Sequence, residues 1–350
     1  MTLAEVVLVL AWIGVTAYAV LAGADFGAGF WDLTAGGAAQ GRSMRHLAEH
    51  AIAPVWEANH VWLIYVFVVL WTGFPRPFAA MASTLYIPLT GVAIGVILRG
   101  AAFAFRKSIA DGEVDLKLER AFGATFAASS VVTPFFLGTV AGAVASGRVP
   151  LGNARGDAVR SWVNPTSILG GTLAVATCSF VAAVFLCVEA EREEPALTES
   201  LRQKAIGAGL VCGMVASIGV AVLKADSPQL FHGLTHRGLP LVIVSGLSGL
   251  AALVLLRRRQ FRPARLSGAL AVVAIVWGWA AGQYPDILIG SVTIQDGAGA
   301  RATLMAVTVA VIAGAVVLVP SLLILFRLAQ RGTLGGATNR PVSGTGGACM

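Results

Sequence analysis

Between Ile52 and Leu63 the chain reads Ile-Ala-Pro-Val-Trp-Glu-Ala-Asn-His-Val-Trp-Leu, opening an apolar run that continues to Leu70. An acid, a carboxamide and an imidazole are set between two tryptophans. Pro54 suits the first turn of a helix, where its missing N–H costs nothing. On that helix Glu57 and His60 are i,i+3 neighbours on one face, flanked by Trp56 and Asn59, with Trp62 completing an aromatic frame. A charged group at membrane depth is costly and is normally turned toward a bundle interior or a water-filled path. Three chemistries suit such a pair. The first is a structural acid–imidazole contact that fixes helix register. The second is a metal site, since Glu57-Ala-Asn-His60 has the Glu-x-x-His spacing of di-iron bundles. That chemistry needs a second such element and two further helical acids, and no other histidine has Glu three residues before it. Haem ligation meets the same shortage, because only His60 of five histidines falls in a predicted span. The third is proton transfer. Burial disfavours the charged carboxyl, so the group can take up and release protons near neutral pH, where imidazole also titrates.

The elements that must position this motif follow from composition. The 350 residues are 57% hydrophobic and only 12% charged, against roughly 25% charged in soluble domains. Mean hydropathy is +0.79. The fold class expected is an all-α polytopic membrane protein. Nine stretches can cross about 30 Å of hydrocarbon, near 4–24, 52–72, 78–98, 121–145, 166–188, 205–223, 239–256, 266–284 and 304–326. The N-terminus lacks the basic start of a cleavable signal, so the first run is expected to remain as a span. Gly91/Gly95 and Gly209/Gly213 allow close helix contact. Four cysteines form no framework, and Cys178 and Cys187 point to opposite sides of one helix. The basic residues occupy short loops and act as topology signals, which accounts for the pI near 9.7 without nucleic acid. The tail 329–350, rich in Gly, Thr and Ser, is expected to be disordered and cytoplasmic.

Eighteen of the 25 Lys and Arg fall on the side of the C-terminal tail and seven on the other. Positive residues stay inside, so the N-terminus is expected outside and the C-terminus in the cytoplasm, with Arg257–Arg259 and the segment from Arg99 to Arg120 as anchors. Reporter fusions after Arg120 and after Arg259 are both expected to report cytoplasm; a periplasmic signal from either would overturn this orientation. The first span ends in Gly23-Ala-Asp-Phe-Gly-Ala-Gly29, read as a helix end needing close packing and unusual dihedrals. It lacks the strand and spacing of a dinucleotide fingerprint. Asp25 is then at the cytoplasmic edge, and Glu57 about five residues into span 2, roughly 8 Å of rise from the same edge. His232 and His236 are spaced i,i+4 in an outer loop, but no carboxylate or cysteine completes a metal set nearby.

Gly23-Ala-Asp-Phe-Gly-Ala-Gly29 together with Ile52–Leu63 resembles the two signature segments of subunit II of cytochrome bd-type quinol oxidases. Leu85-Tyr-Ile-Pro-Leu-Thr90 with Leu98-Arg-Gly-Ala-Ala-Phe-Ala-Phe-Arg106 resembles that family's third span and its exit, and Gln283-Tyr-Pro285 with Ser291–Gly297 its last outer loop. The resemblance implies two four-helix bundles plus one peripheral helix, in a bacterial cytoplasmic-membrane complex in which quinol reduces dioxygen to water. It implies that haem b, haem d and the quinol site belong to a homologous subunit I. This chain would then hold no catalytic, cofactor-binding or metal residue of its own. It would stabilise its partner, contact lipid and small accessory subunits, and form walls of the proton and oxygen routes. The resemblance places the proton-path carboxylate on Glu57, with Asp25 and His60 beside it. Some members carry Asp for this Glu and Gln for this His. A proton-coupled secondary transporter is the alternative; its inverted repeats and paired broken helices are not found. A purely structural scaffold is a third reading.

Overall fold

The structure, a computed structural model, describes residues 1–36, 41–52, 56–110 and 116–330. Helix α1 (Leu3–Leu33) starts at a capping box, in which Glu5 N–H donates to the Thr2 hydroxyl at 3.3 Å and Thr2 N–H to the Glu5 carboxylate at 2.7 Å. It is followed by α2 (Arg42–Ile52), α3 (Trp56–Gly73), α4 (Pro75–Thr84), α5 (Tyr86–Ala110), α6 (Leu116–Ala145), α7 (Pro165–Glu193) and α8 (Pro195–Asp226). Then come α9 (Pro228–His236), α10 (Leu239–Arg257), α11 (Phe261–Gln283), the hairpin β1 (Asp286–Leu288) and β2 (Val292–Thr293), α12 (Ile294–Gly297) and α13 (Arg301–Gln330). Pro at the first helical turn opens α4, α7, α8, α9 and α10, where no N–H is needed.

Among the described residues, eight helices are long and apolar enough to cross a membrane: α1, α5, α6, α7, α8, α10, α11 and α13. The second predicted crossing corresponds to the shorter apolar helix Asn59–Gly73 within α3. Helices α1, α3, α5 and α6 pack as one group and α7, α8, α10 and α11 as another, joined chiefly where α7 lies against both α6 and α1. Helix α13 lies outside both, against α1 and α3. Close approach depends on glycine. A Cβ at Gly27 would overlap the Cys178 carbonyl of α7, and one at Gly138 the backbone of Gly170. Gly91 and Gly95 seat Phe136 and Thr133, and Gly209 seats Leu253 and Phe180; Gly213 faces open space. At the end of the bundle that carries the hairpin, Arg148 grips Asp226 through two hydrogen bonds of 2.9 and 2.6 Å, and Asp226 also accepts from Thr166. In the same loop region, Asp157 accepts from the backbone N–H groups of Val159 and Arg160, which hold its carboxyl below the usual carboxylate range.

Two boundaries differ from the sequence expectation. Helix α1 does not end near residue 24: it runs unbroken to Leu33, and Gly23, Gly27 and Gly29 keep helical dihedrals. Their role is packing alone. The third span is shifted toward the C-terminus as well. Residues 75–84 form their own short helix, and the membrane-length segment is Tyr86–Phe105 rather than 78–98. Both shifts move a charge from an expected edge into a helix interior: Asp25 in α1 and Arg99 in α5. A smaller addition is the hairpin β1–β2, which joins an otherwise helical fold. Of the predicted tail, Ala329 and Gln330 continue α13, and 331–350 lie outside the described residues.

Candidate functional site

Asp25 and Arg99 are the centre of the site. Both side chains are 1% exposed, and Arg99 is the largest fully buried side chain in the described chain. Arg99 Nη2 donates to Asp25 Oδ1 at 2.5 Å and to the Asp25 carbonyl at 3.0 Å, while Nη1 meets the Ser130 hydroxyl. The guanidinium is sandwiched by aromatic faces, its Cζ 5.0 Å from the Phe26 ring centroid and 4.3 Å from that of Phe126. A planar fork with five donors suits this geometry, in which carboxylate, carbonyl and hydroxyl lie around one cation. The helices make room for it: a Cβ at Gly29 would run into Ser130 and the Arg99 guanidinium. Helix α6 turns its own polar groups inward, since Ser129 and Ser130 donate to the Phe126 carbonyl at 2.9 and 2.5 Å.

The α3 motif abuts this pair. Asn59 is 2% exposed and its amide donates to the Leu21 carbonyl of α1 at 3.3 Å. The His60 ring lies edge-on to Tyr18 at 6.4 Å and to Phe26 at 6.1 Å, and its Nε2 is sealed inside the bundle. Phe26 therefore touches both His60 and Arg99. Tyr65, one turn on, donates to the Leu10 carbonyl at 3.0 Å and so fixes α3 along α1.

Of the predicted site residues, Asp25, Asn59 and His60 gather along α1. Trp62 is partly buried with its ring 6.1 Å from Tyr65, and the rings observed against His60 are those of Tyr18 and Phe26. Glu57 and Trp56 lie in the first turn of α3, and their side chains are outside the described residues, as is Pro54. The partner of Asp25 is Arg99, a residue expected from the sequence to anchor a cytoplasmic loop. Its removal from the basic count leaves the asymmetry standing at 17 against seven. A signal was available: Arg99 is the one charge in the apolar stretch Tyr86–Phe105, and Asp25 the one charge between Val6 and Trp31. Two isolated opposite charges at membrane depth are each other's natural partners.

Other candidates stay separate. The His232 and His236 rings lie against each other, tilted by 35° with centroids 3.9 Å apart, and His232 lines a cavity of about 280 Å³ with Gln229, Arg237 and Asp286. Among the described residues no three His, Cys, Asp or Glu side chains converge as a metal site. Cys178, Cys187 and Cys212 are free thiols.

Comparison with known proteins places this arrangement. Cytochrome bd ubiquinol oxidase subunit 2 of Bacillus subtilis (strain 168) is 28% identical over 245 residues, 69% of this chain and 68% of that protein. A putative cytochrome bd menaquinol oxidase subunit II of the same organism is 29% identical over 94 residues, 27% of each chain. A chain in the structure of bd oxidase from Geobacillus thermodenitrificans superposes with a TM-score of 0.79 at 25% identity, covering 94% of this chain and 98% of that one. A family model described as cytochrome bd terminal oxidase subunit II matches residues 3–329, nearly the whole of the folded chain with its buried Asp25–Arg99 pair, and the chain belongs to that family.

Proposed function

We propose that the chain is the haem-free subunit II of a membrane quinol:dioxygen oxidoreductase in the bacterial cytoplasmic membrane, with its N-terminus outside and its C-terminus in the cytoplasm. Its partner is a subunit I that carries haem b and haem d and oxidises quinol. This chain stabilises that partner and lines part of the cytoplasmic proton route and of the oxygen route. The observation that carries the reading is the buried Asp25–Arg99 pair beside Asn59 and His60 of α3: polar groups from four helices, α1, α3, α5 and α6, gather inside one bundle. Such groups are costly at membrane depth and mark ion and proton pathways. Glu57 is the titratable member of the route, His60 its neighbour on the same face of α3, and Asp25–Arg99 a fixed charge pair that keeps the interior polar.

Haem does not fit the residues of this site. The His60 Nε2 is sealed within the bundle, and the Tyr18 and Phe26 rings pack against the imidazole where a porphyrin would have to lie. Outer flanks with Leu210, Leu247 and Val309 each more than half exposed supply apolar surface for lipid and for partner subunits. The test is purification of the tagged chain with its partners, followed by a reduced-minus-oxidised haem spectrum. Haem absorbance is expected only with a co-purifying membrane subunit of similar or larger size. The chain produced alone is expected to bind none, and haem kept by the isolated chain through detergent exchange would overturn the assignment.

A further inference from the structure

We propose that Tyr18 and the second carboxylate oxygen of Asp25 hold a water molecule over the methyl group of Ala22, and that Tyr18 is thereby a positioning residue joining the α3 motif to the Asp25–Arg99 pair. The inference rests on the reading of Glu57, His60 and Asp25 as a proton route. Two sealed polar atoms point to it. The Tyr18 hydroxyl and Asp25 Oδ2 are both buried and have no hydrogen-bond partner among the described residues, although Oδ1 of the same carboxylate is held by Arg99. Each such atom left without a partner keeps its desolvation penalty, and a bridging water satisfies both at once.

The helix places them to share one. At about 100° per residue, Tyr18, Ala22 and Asp25 lie on a single stripe of α1, within about 60° of one another. The Tyr18 ring runs toward the C-terminal end of α1, since its centroid comes within 6.4 Å of the Phe26 ring eight residues on, and the Asp25 carboxylate leans back over the turn that contains Ala22, toward it. Ala22 is 1% exposed and carries only a methyl, so the space between the two polar groups is not filled from within the helix. Asp25, Arg99, the Cys178 thiol of α7 and His60 of α3 are the ionisable groups that surround Tyr18. On its other side the Tyr18 ring meets His60 at 6.4 Å and Phe26 at 6.4 Å. The Tyr18 ring thus lies against His60, with its one polar atom buried inside the bundle on the stripe that carries Asp25. A phenol there, rather than a phenylalanine, gives the route a hydrogen-bonding group at the junction of α1 and α3.

The experiment uses the assembled oxidase complex. Cryo-EM at a resolution that shows ordered water is expected to reveal density within hydrogen-bond distance of both Tyr18 Oη and Asp25 Oδ2; its absence overturns the proposal. Tyr18→Phe keeps the ring and removes the hydroxyl. It is expected to retain full haem content, to lower quinol oxidase turnover about fivefold, the rate equivalent of one net hydrogen bond, and to change the pH profile. Ala22→Val fills the water position with the hydroxyl still present and is expected to reproduce the same loss. Glu57→Gln, measured in parallel, separates the two claims. Slow Glu57→Gln beside wild-type turnover and pH profile in Tyr18→Phe rejects Tyr18 and leaves the proton route standing. Fast Glu57→Gln rejects the route itself. Should Tyr18→Phe fail to assemble, the density in the unmodified complex decides.

Discussion

Glu57→Gln is expected to leave the haem spectrum of the assembled complex unchanged while quinol oxidase turnover falls by roughly one to a few orders of magnitude, on the scale of lost general acid–base catalysis. Gln keeps the volume and hydrogen-bonding shape of the side chain but cannot release a proton. Glu57→Asp is expected to keep part of the activity, because a shorter acid still titrates. The place of Glu57 in the fold argues that assembly survives the change. It occupies the first turn of α3, where a negative charge gains about 0.3–1 kcal/mol from the helix dipole. Losing that much is small beside the packing that holds α3 to α1 through Asn59, His60 and Tyr65. Turnover and haem content must be read in the same membranes. Normal haem with slow turnover supports the relay. Full turnover in the Gln variant would sink it, and haem lost in Gln and Asp variants alike would return Glu57 to a structural role.

The membrane-length segments were legible because a span needs a long apolar run and nothing else imitates one. Their ends were not. Gly23-Ala-Asp-Phe-Gly-Ala-Gly29 reads as a helix stop on propensity, yet in the bundle the same glycines let α1 close on α7 and α6, and the helix continues. Pro75 and Pro77 fall in the connection before the span expected at 78–98, whereas they open a separate short helix that displaces the third crossing by about two turns. With both boundaries displaced by about two turns, Asp25 and Arg99 looked like edge charges. Their pairing spans 74 positions in sequence, a relation no local pattern encodes. Tyr18 was invisible for a similar reason: a tyrosine in an apolar helix is ordinary, and only the fold reveals that its hydroxyl is buried with no hydrogen-bond partner among the described residues. The i,i+4 spacing of His232 and His236 brings the two tilted rings to 3.9 Å on α9, with His236 Nδ1 2.9 Å from the His232 carbonyl oxygen.

Arg99→Leu and Asp25→Asn are each expected to reduce the yield of haem-containing complex severely, because removing one partner of a buried ion pair costs about 3–5 kcal/mol through the charge or polar groups left behind. Arg99→Leu is the worse of the two. It abandons the Asp25 carboxylate and carbonyl and the Ser130 hydroxyl together, and it strips the cation from between Phe26 and Phe126. Arg99→Lys keeps the charge but loses the planar fork, so it cannot serve the three oxygens at once and is expected to fall between Leu and the natural residue. The informative variant is the double replacement Asp25→Leu with Arg99→Met. It removes both charges and fills the space with apolar atoms, and buried pairs replaced in this way are often no less stable. Its yield and thermal stability are expected to exceed those of either single variant, a coupling that a double-mutant cycle reads directly. Singles that assemble as well as the natural chain would show that the pair contributes little to holding α1 against α5. Turnover in the double variant then settles the remaining question: an assembled but slow complex keeps Asp25 and Arg99 in the proton route, and an assembled, fast one confines them to the architecture.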